Sequence, residues 1–417
     1  MKRSIFFIVM WFVFASAEIT VRQSVAPGII HYHDFIAEEP WHINILEVHL
    51  DSSDVGIRTC KAKDRLFSLE RTSRMVLRKQ QKKINIVAAI NGDFFEKDGS
   101  PVNAQVIDGI PISMPFPRSV FMITAGNKPL IDIVSFKAKM IVGQSSYPIA
   151  GVNQERGTND LILFNKYYGD KTGTNHWGRE IILKPVKAPD QVKDTLRFDV
   201  KQIDGSVDDS PNNVSITDDH WIVSGHGRAA QFLSANVEAG RQVMIVNHFP
   251  PVKQPVMQMI GGMPRLVRNG SISVEWQEET APENFTYNRH PRTAVGYNRQ
   301  ANKVFFFTVD GRQPGYSMGM TLPELAQYLI EQWDIYQALN LDGGGSTTMV
   351  VGDSLVNQPS DLDGERPVSN ALLIFFRNNV DPLHSDKHSS SKVNVKLESW
   401  FDCVTDPVCL GSSKMID

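Results

Sequence analysis

Residues 292–312 read RTAVGYNRQANKVFFFTVDGR: a short strand-like run, a five-residue turn, a denser apolar run, then an aspartate and an arginine around a glycine. Two strand patterns separated by Asn298–Asn302 predict an antiparallel hairpin. With the turn centred near Gln300, the register sets Arg292 opposite Thr308. Arg292, Asp310 and Arg312 then emerge at one end of the sheet, far from the turn. Charges delivered to such a place require partners or an anionic ligand.

The same pattern recurs outward from this hairpin. Trp41–Leu50 (WHINILEVHL) alternates as a half-buried strand does, and Ile84–Ile90 (INIVAAI) is the continuous apolar run of a fully buried one. Helices are few. Ser68 is a candidate cap for one running to about Gln80, with Arg71, Arg74, Arg78 and Lys79 on a solvated face. Thr321-Leu322-Pro323-Glu324 is a capping box with proline in the first turn, followed by Leu325, Leu329 and Trp333 on one buried face. Strands joined by short turns or lone helices, without βαβ alternation, predict an α+β fold: strand-rich mixed or antiparallel sheets with a few packed helices in a single large domain over 18–378.

The 417 residues are 41% apolar and 21% charged with a formal charge of −3, ordinary globular material with no basic stripe for nucleic acid. Residues 1–17 combine two basic residues, a short apolar run and Ala15-Ser16-Ala17, the form of a cleaved secretory signal. No later run is long enough to span a membrane, so a secreted or periplasmic protein without a transmembrane anchor is expected. Residues 379–417 form a polar tail. In an oxidising compartment Cys403 and Cys409 are placed to close a small loop, leaving Cys60 as a buried free thiol; three unpaired cysteines is the alternative.

Four apolar strands end in glycine-flanked polar clusters: Asn91-Gly92-Asp93, Gly225-His226-Gly227, Asp310-Gly311-Arg312 and Asp342-Gly343-Gly344-Gly345-Ser346. Four such ends could line one pocket, although each also suits a turn. The glycine triplet lacks the lysine of a phosphate-binding P-loop and the helix of a dinucleotide fingerprint. Met349–Val356 follows it as strand, Gly-Asp turn and strand, so any phosphate held there is held by backbone N–H groups and hydroxyls. The serine also lacks the second glycine of a nucleophile elbow.

Taken together, NGDFF, GHG, GGMPRLVRNG, HPRTAVG, VDGRQPGYSMGMTLPELA, NLDGGGSTTM and ERPVSNALL resemble the phosphodiester glycosidase family, in family order from about Pro27 to Arg377. The resemblance implies an exported hydrolase that cleaves the glycosidic C–O bond of a sugar-1-phosphodiester, of the N-acetylglucosamine-α-1-phospho-glycan type. Expected catalytic groups are Asp342, Asp310, His226 and Asp93. Expected substrate contacts are Arg292, Arg312, Gly343, Gly344, Gly345, Ser346, Thr347, Asn91 and Asn370. No cofactor is required by this chemistry, while three aspartates near one pocket leave room for Mg2+ or Ca2+. A metal-dependent phosphodiesterase and a non-catalytic glycan-binding or exopolysaccharide-assembly protein are the alternatives.

Overall fold

The computed structural model describes residues 18–52, 54–82, 84–186, 195–205 and 214–376; the expected signal segment, the polar tail and the Cys403–Cys409 pair lie outside them. Strands far outweigh helices, so the α+β expectation holds only in outline. The strands form two eight-stranded and two five-stranded sheets, paired antiparallel except at Gly151–Val152 with Leu161–Phe164. Four α-helices are described: α1 (Thr72–Gln81), α2 (Arg228–Asn236), α3 (Glu283–Tyr287) and α4 (Leu322–Trp333).

The predicted hairpin lies at the centre of the first eight-stranded sheet as strands Arg292–Tyr297 and Lys303–Val309. Its register differs from the expected one by one residue: Arg292 pairs with Val309, and Thr293 with Thr308. The Asn298 amide donates to Lys303 O at 3.3 Å, which draws Lys303 into the ladder and shortens the turn, with Ala301 taking a left-handed φ of 52°. Because faces alternate along a strand, the one-residue offset sends Arg292 and Asp310 to opposite faces. That offset separates two residues expected to act together.

Trp41–His49 is more enclosed than alternation suggested. It pairs with Lys303–Val309, its residues Ile43 and Ile45 pack beneath α4, and Leu46 and Val48 enter the core shared with the sheet containing Asn85–Asn91 and Asn370–Phe376. Of its buried polar members, Glu47 accepts from Tyr32 and Lys303, while Asn44 meets His31 through Oδ1 and its Nδ2 has no hydrogen-bond partner among the described residues. Strand Asn85–Asn91 runs as predicted, between Met349–Val351 and Asn370–Phe376.

Helix α4 carries the expected capping box at Thr321 and Glu324. Helix α1 does not begin at a Ser68 cap. Its N-cap is Arg71 without a side-chain bond, and the Ser68 hydroxyl donates to Ala62 O and Arg65 O instead. The basic face is not simply solvated either, since Lys79 pairs with Asp64 at 2.7 Å and Arg78 with Glu70 at 2.8 Å. Cys60 is a buried free thiol. Among the described residues no helix is long and apolar enough to cross a membrane.

Candidate active site

Strand Gln337–Asn340 ends beside the hairpin, and the chain then turns through Asp342 into a single 3-10 turn, Gly344–Ser346. Asn91 secures this turn from below. Its Nδ2 donates to Asp342 O at 2.6 Å, while its Oδ1 accepts from Thr293 Oγ1 at 2.8 Å and Thr348 N at 3.0 Å. Asn91 was expected to touch substrate; with its amide engaged by three protein groups, it instead joins three strand ends. Each glycine of the triplet makes room for a different neighbour. A Cβ at Gly343 would lie 2.7 Å from Pro291 O, one at Gly344 (φ 61°) 3.1 Å from Arg312 Nη1, and one at Gly345 would overlap the Asp361–Arg366 ion pair.

Above the turn lies a cavity of about 330 Å³, with Arg292, Arg312, Arg366 and His290 on its walls, Phe285 and Asn284 of α3 at one side, and Asp342 with the three glycines at its base. Arg292 is only 1% exposed. Its Nε donates to Met320 O and its Nη2 to the carbonyls of Phe285 and Asn288, all at 2.8 Å, and its guanidinium lies 4.9 Å from the Phe285 ring centre. Nη1 has no hydrogen-bond partner among the described residues. The neighbouring carboxylate, Glu324, is already engaged by Arg289 and by the Thr321 amide. Burial, reinforced by Arg312, pushes the Arg292 pKa down to about 9, the mark of a cation that lacks its counter-ion.

Arg312, at φ 60°, donates towards His290 Nδ1 at 3.3–3.4 Å. Burial and then the two arginines lower the His290 pKa, so the imidazole is neutral at pH 7 and accepts this bond. Asp342 is raised by burial to about 6, against the opposing pull of Ser346, Arg366 and the Gly343 amide. Asp93 lies behind it, outside the cavity wall. Burial raises Asp93 to about 7, its Oδ2 accepting from Asn103 N at 3.0 Å and Asp342 adding to the rise.

The structure brings together Arg292, Arg312, Asp342 and Gly343–345, with Ser346 and Thr347 buried behind the turn. It does not bring Asp310 to the cavity. That carboxylate is fully buried and accepts from Gln358 N at 3.0 Å, Asn357 Nδ2 at 3.1 Å and Tyr316 OH at 3.1 Å, on the face opposite Arg292. Asn370 accepts from Asp93 N at 2.8 Å and donates to Gln105. His226 ends strand Trp221–His226 in the other eight-stranded sheet, opposite Gly178. Of the three aspartates expected at one pocket, Asp342 alone lines the cavity, and among the described residues no group of three or more His, Cys, Asp or Glu could hold a metal. His290 and Arg366 were not singled out in sequence, because neither has the glycine flank that marked the other clusters. Both nevertheless stand inside quoted motifs, HPRTAVG and ERPVSNALL.

Residues 196–375 match the family model for phosphodiester glycosidases, a span that holds all the cavity-lining residues. Over that span the chain is similar to a phosphodiester glycosidase domain. The bovine N-acetylglucosamine-1-phosphodiester alpha-N-acetylglucosaminidase is 37% identical over 118 residues, 26% of this chain and 22% of the bovine protein. The human enzyme of the same name is 36% identical over 118 residues, with the same shares. The match thus spans under a quarter of those relatives' length. A solved hypothetical protein from Synechocystis shares the fold, with a TM-score of 0.60 at 19% identity, over 84% of this chain and 62% of that one. A structure from Burkholderia pseudomallei K96243 does so with a TM-score of 0.56 at 19% identity, over 80% and 74%.

Proposed function

We propose that this phosphodiester glycosidase domain hydrolyses a sugar-1-phosphodiester, releasing free sugar and a phosphomonoester, in an exported protein acting on a glycan-linked substrate. The observation that carries the reading is Arg292: a buried guanidinium with an unpartnered Nη1, no carboxylate of its own, and a second arginine beside it on one cavity wall. Such a wall suits a phosphodiester anion, whose oxygens replace the missing counter-ion. The departing phosphomonoester is a weak base, so it calls for charge stabilisation more than for a proton. Arg292 and Arg312 supply that charge, and neutral His290 orients Arg312.

Asp342 is the carboxylate at the cavity base, placed to act on the anomeric carbon or on the water that attacks it as oxocarbenium character develops. The anomeric C–O bond breaks, the bridging oxygen leaves with phosphorus, and water oxygen ends on the sugar. Hydrolysis of N-acetylglucosamine-α-1-phosphate methyl ester in 18O-water is expected to label the sugar. Label on phosphate would replace this reading with phosphodiesterase chemistry. Asp342→Asn is expected to keep the fold and lose at least ~10²-fold in kcat; near-parental turnover would remove Asp342 from the reaction. Mg2+ or Ca2+ dependence is tested in the same assay, with full activity expected after EDTA dialysis.

A further inference from the structure

The other eight-stranded sheet supplies no residue to the cavity above Asp342. Four of its strands, Ser145–Ile149, Lys137–Val142, Gln242–His248 and Thr195–Gly205, lie side by side in that order. Alternation gives them two unlike faces. Met140, Val243, Ile245 and Phe198 enter the sheet's apolar core. On the opposite face the register sets Lys139 beside Pro148 and Val246, Lys137 beside His248, and Arg197 beside Met244. Lys137, Lys139, Pro148 and Arg197 are exposed there, with Val246 and Met244 half-buried between them. A cavity of about 540 Å³ opens on this face, walled by Phe136, Lys139, Pro148 and Val246 among others.

The charge on this face is one-sided, although the whole chain carries −3. Three of the four strands, Ser145–Ile149, Lys137–Val142 and Gln242–His248, contain no acidic residue, and Asp199 is the one carboxylate between Thr195 and Lys201. Asp199 already accepts from Gln242 Nε2 at 3.1 Å and stands opposite Lys184 on the next strand. The surplus therefore rests with Lys137, Lys139 and Arg197, which favour an anion. Their spacing decides its size. The lysines are two residues apart, about 6–7 Å along the strand, and Arg197 lies two strands from them, roughly 10 Å across the sheet. One phosphate cannot reach all three, whereas an extended chain with repeated negative charges can, its rings lying over Pro148, Val246 and Met244. Among the described residues, none of the exposed large apolar or aromatic side chains stands on these four strands, so the face lacks both the apolar wedge that a membrane surface requires and the stacking rings that single-stranded nucleic acid requires. We propose that this face binds a linear acidic polysaccharide, independently of the reaction assigned to Asp342.

Fluorescence anisotropy of labelled oligogalacturonate mixed with the full chain tests this. Saturable binding that weakens as salt is added is expected, with a neutral malto-oligosaccharide of the same length binding far less. Lys137→Ala/Lys139→Ala/Arg197→Ala changes only exposed side chains and is expected to weaken oligogalacturonate binding by about tenfold or more. Turnover of N-acetylglucosamine-α-1-phosphate methyl ester is expected to stay at the parental level in the same variant. No binding at low salt, equal affinity for the neutral oligosaccharide, or parental affinity in the triple variant overturns the proposal. Capture of phosphatidylserine vesicles without binding of oligogalacturonate would assign the face to a membrane and likewise overturn it.

Discussion

Asp93 shows how a single side chain couples stability to chemistry. Its carboxyl is raised to about 7 by burial, so the folded state holds the proton more tightly than the unfolded chain does. The stability this contributes is complete below the unfolded carboxyl value and is lost as pH rises through about 7. Asp93→Asn is therefore expected to leave stability at pH 4 nearly unchanged and to raise it by roughly 1–3 kcal/mol at pH 8. Urea unfolding at the two pH values reads this out, and a variant less stable at pH 8 would show that the carboxylate form is the one the fold favours. In the proposed reaction Asp342, raised to about 6 beside it, acts in its ionised form. The kcat profile is thus expected to climb through about pH 6, and an Asp342 role as carboxylate would not survive a profile that falls across that range.

Among the elements, α4 and the glycine turn carry opposite kinds of information. The capping box of α4 is local chemistry, two reciprocal bonds between Thr321 and Glu324, and is readable from four letters. Thr321→Ala is expected to cost about 1 kcal/mol; because Glu324 also holds Arg289, thermal denaturation of Glu324→Gln alongside it separates cap from ion pair. The glycine turn depends on neighbours remote in sequence. Gly345→Ala would push a methyl into the Asp361–Arg366 pair and is expected to destabilise by about 1–3 kcal/mol, with KM rising as Arg366 is displaced. A variant with parental KM and stability would show that the loop yields freely. The triplet looked in sequence like one backbone-exposing device. Its glycines answer to Pro291, Arg312 and Arg366 separately.

Over the whole molecule, the site exists because strands from two sheets end together. Strand Arg292–Tyr297 of the large sheet and strands Asn85–Asn91 and Met349–Val351 of a five-stranded sheet meet at Asn91, whose amide bonds Thr293, Thr348 and Asp342. Asn91→Ala would leave buried groups on all three unpaired, and is expected to lower stability by about 2–4 kcal/mol and to impair turnover with it. A variant that lost turnover at unchanged stability would return Asn91 to the substrate. Asp310 and Asn370 read as catalytic or binding residues for the same reason Asn91 did: polar groups at glycine-flanked strand ends. In the structure their side chains hold neighbouring loops, and nothing in their local sequence distinguishes a fastener from a ligand.

Several features were legible from order and spacing alone: the predominance of strands, the hairpin of residues 292–309 and the capped helix after it. These rest on periodicity and short-range bonding, which act between residues close in the chain. Which face each charge takes is a long-range matter. One residue of register moved Arg292 and Asp310 apart, and the packing of α3 and of the Arg366 loop against the Asp342 turn brought in His290, Phe285 and Arg366. Burial without a counter-ion, the property on which the proposed phosphate role of Arg292 rests, belongs to the assembled wall and to no segment of the chain alone.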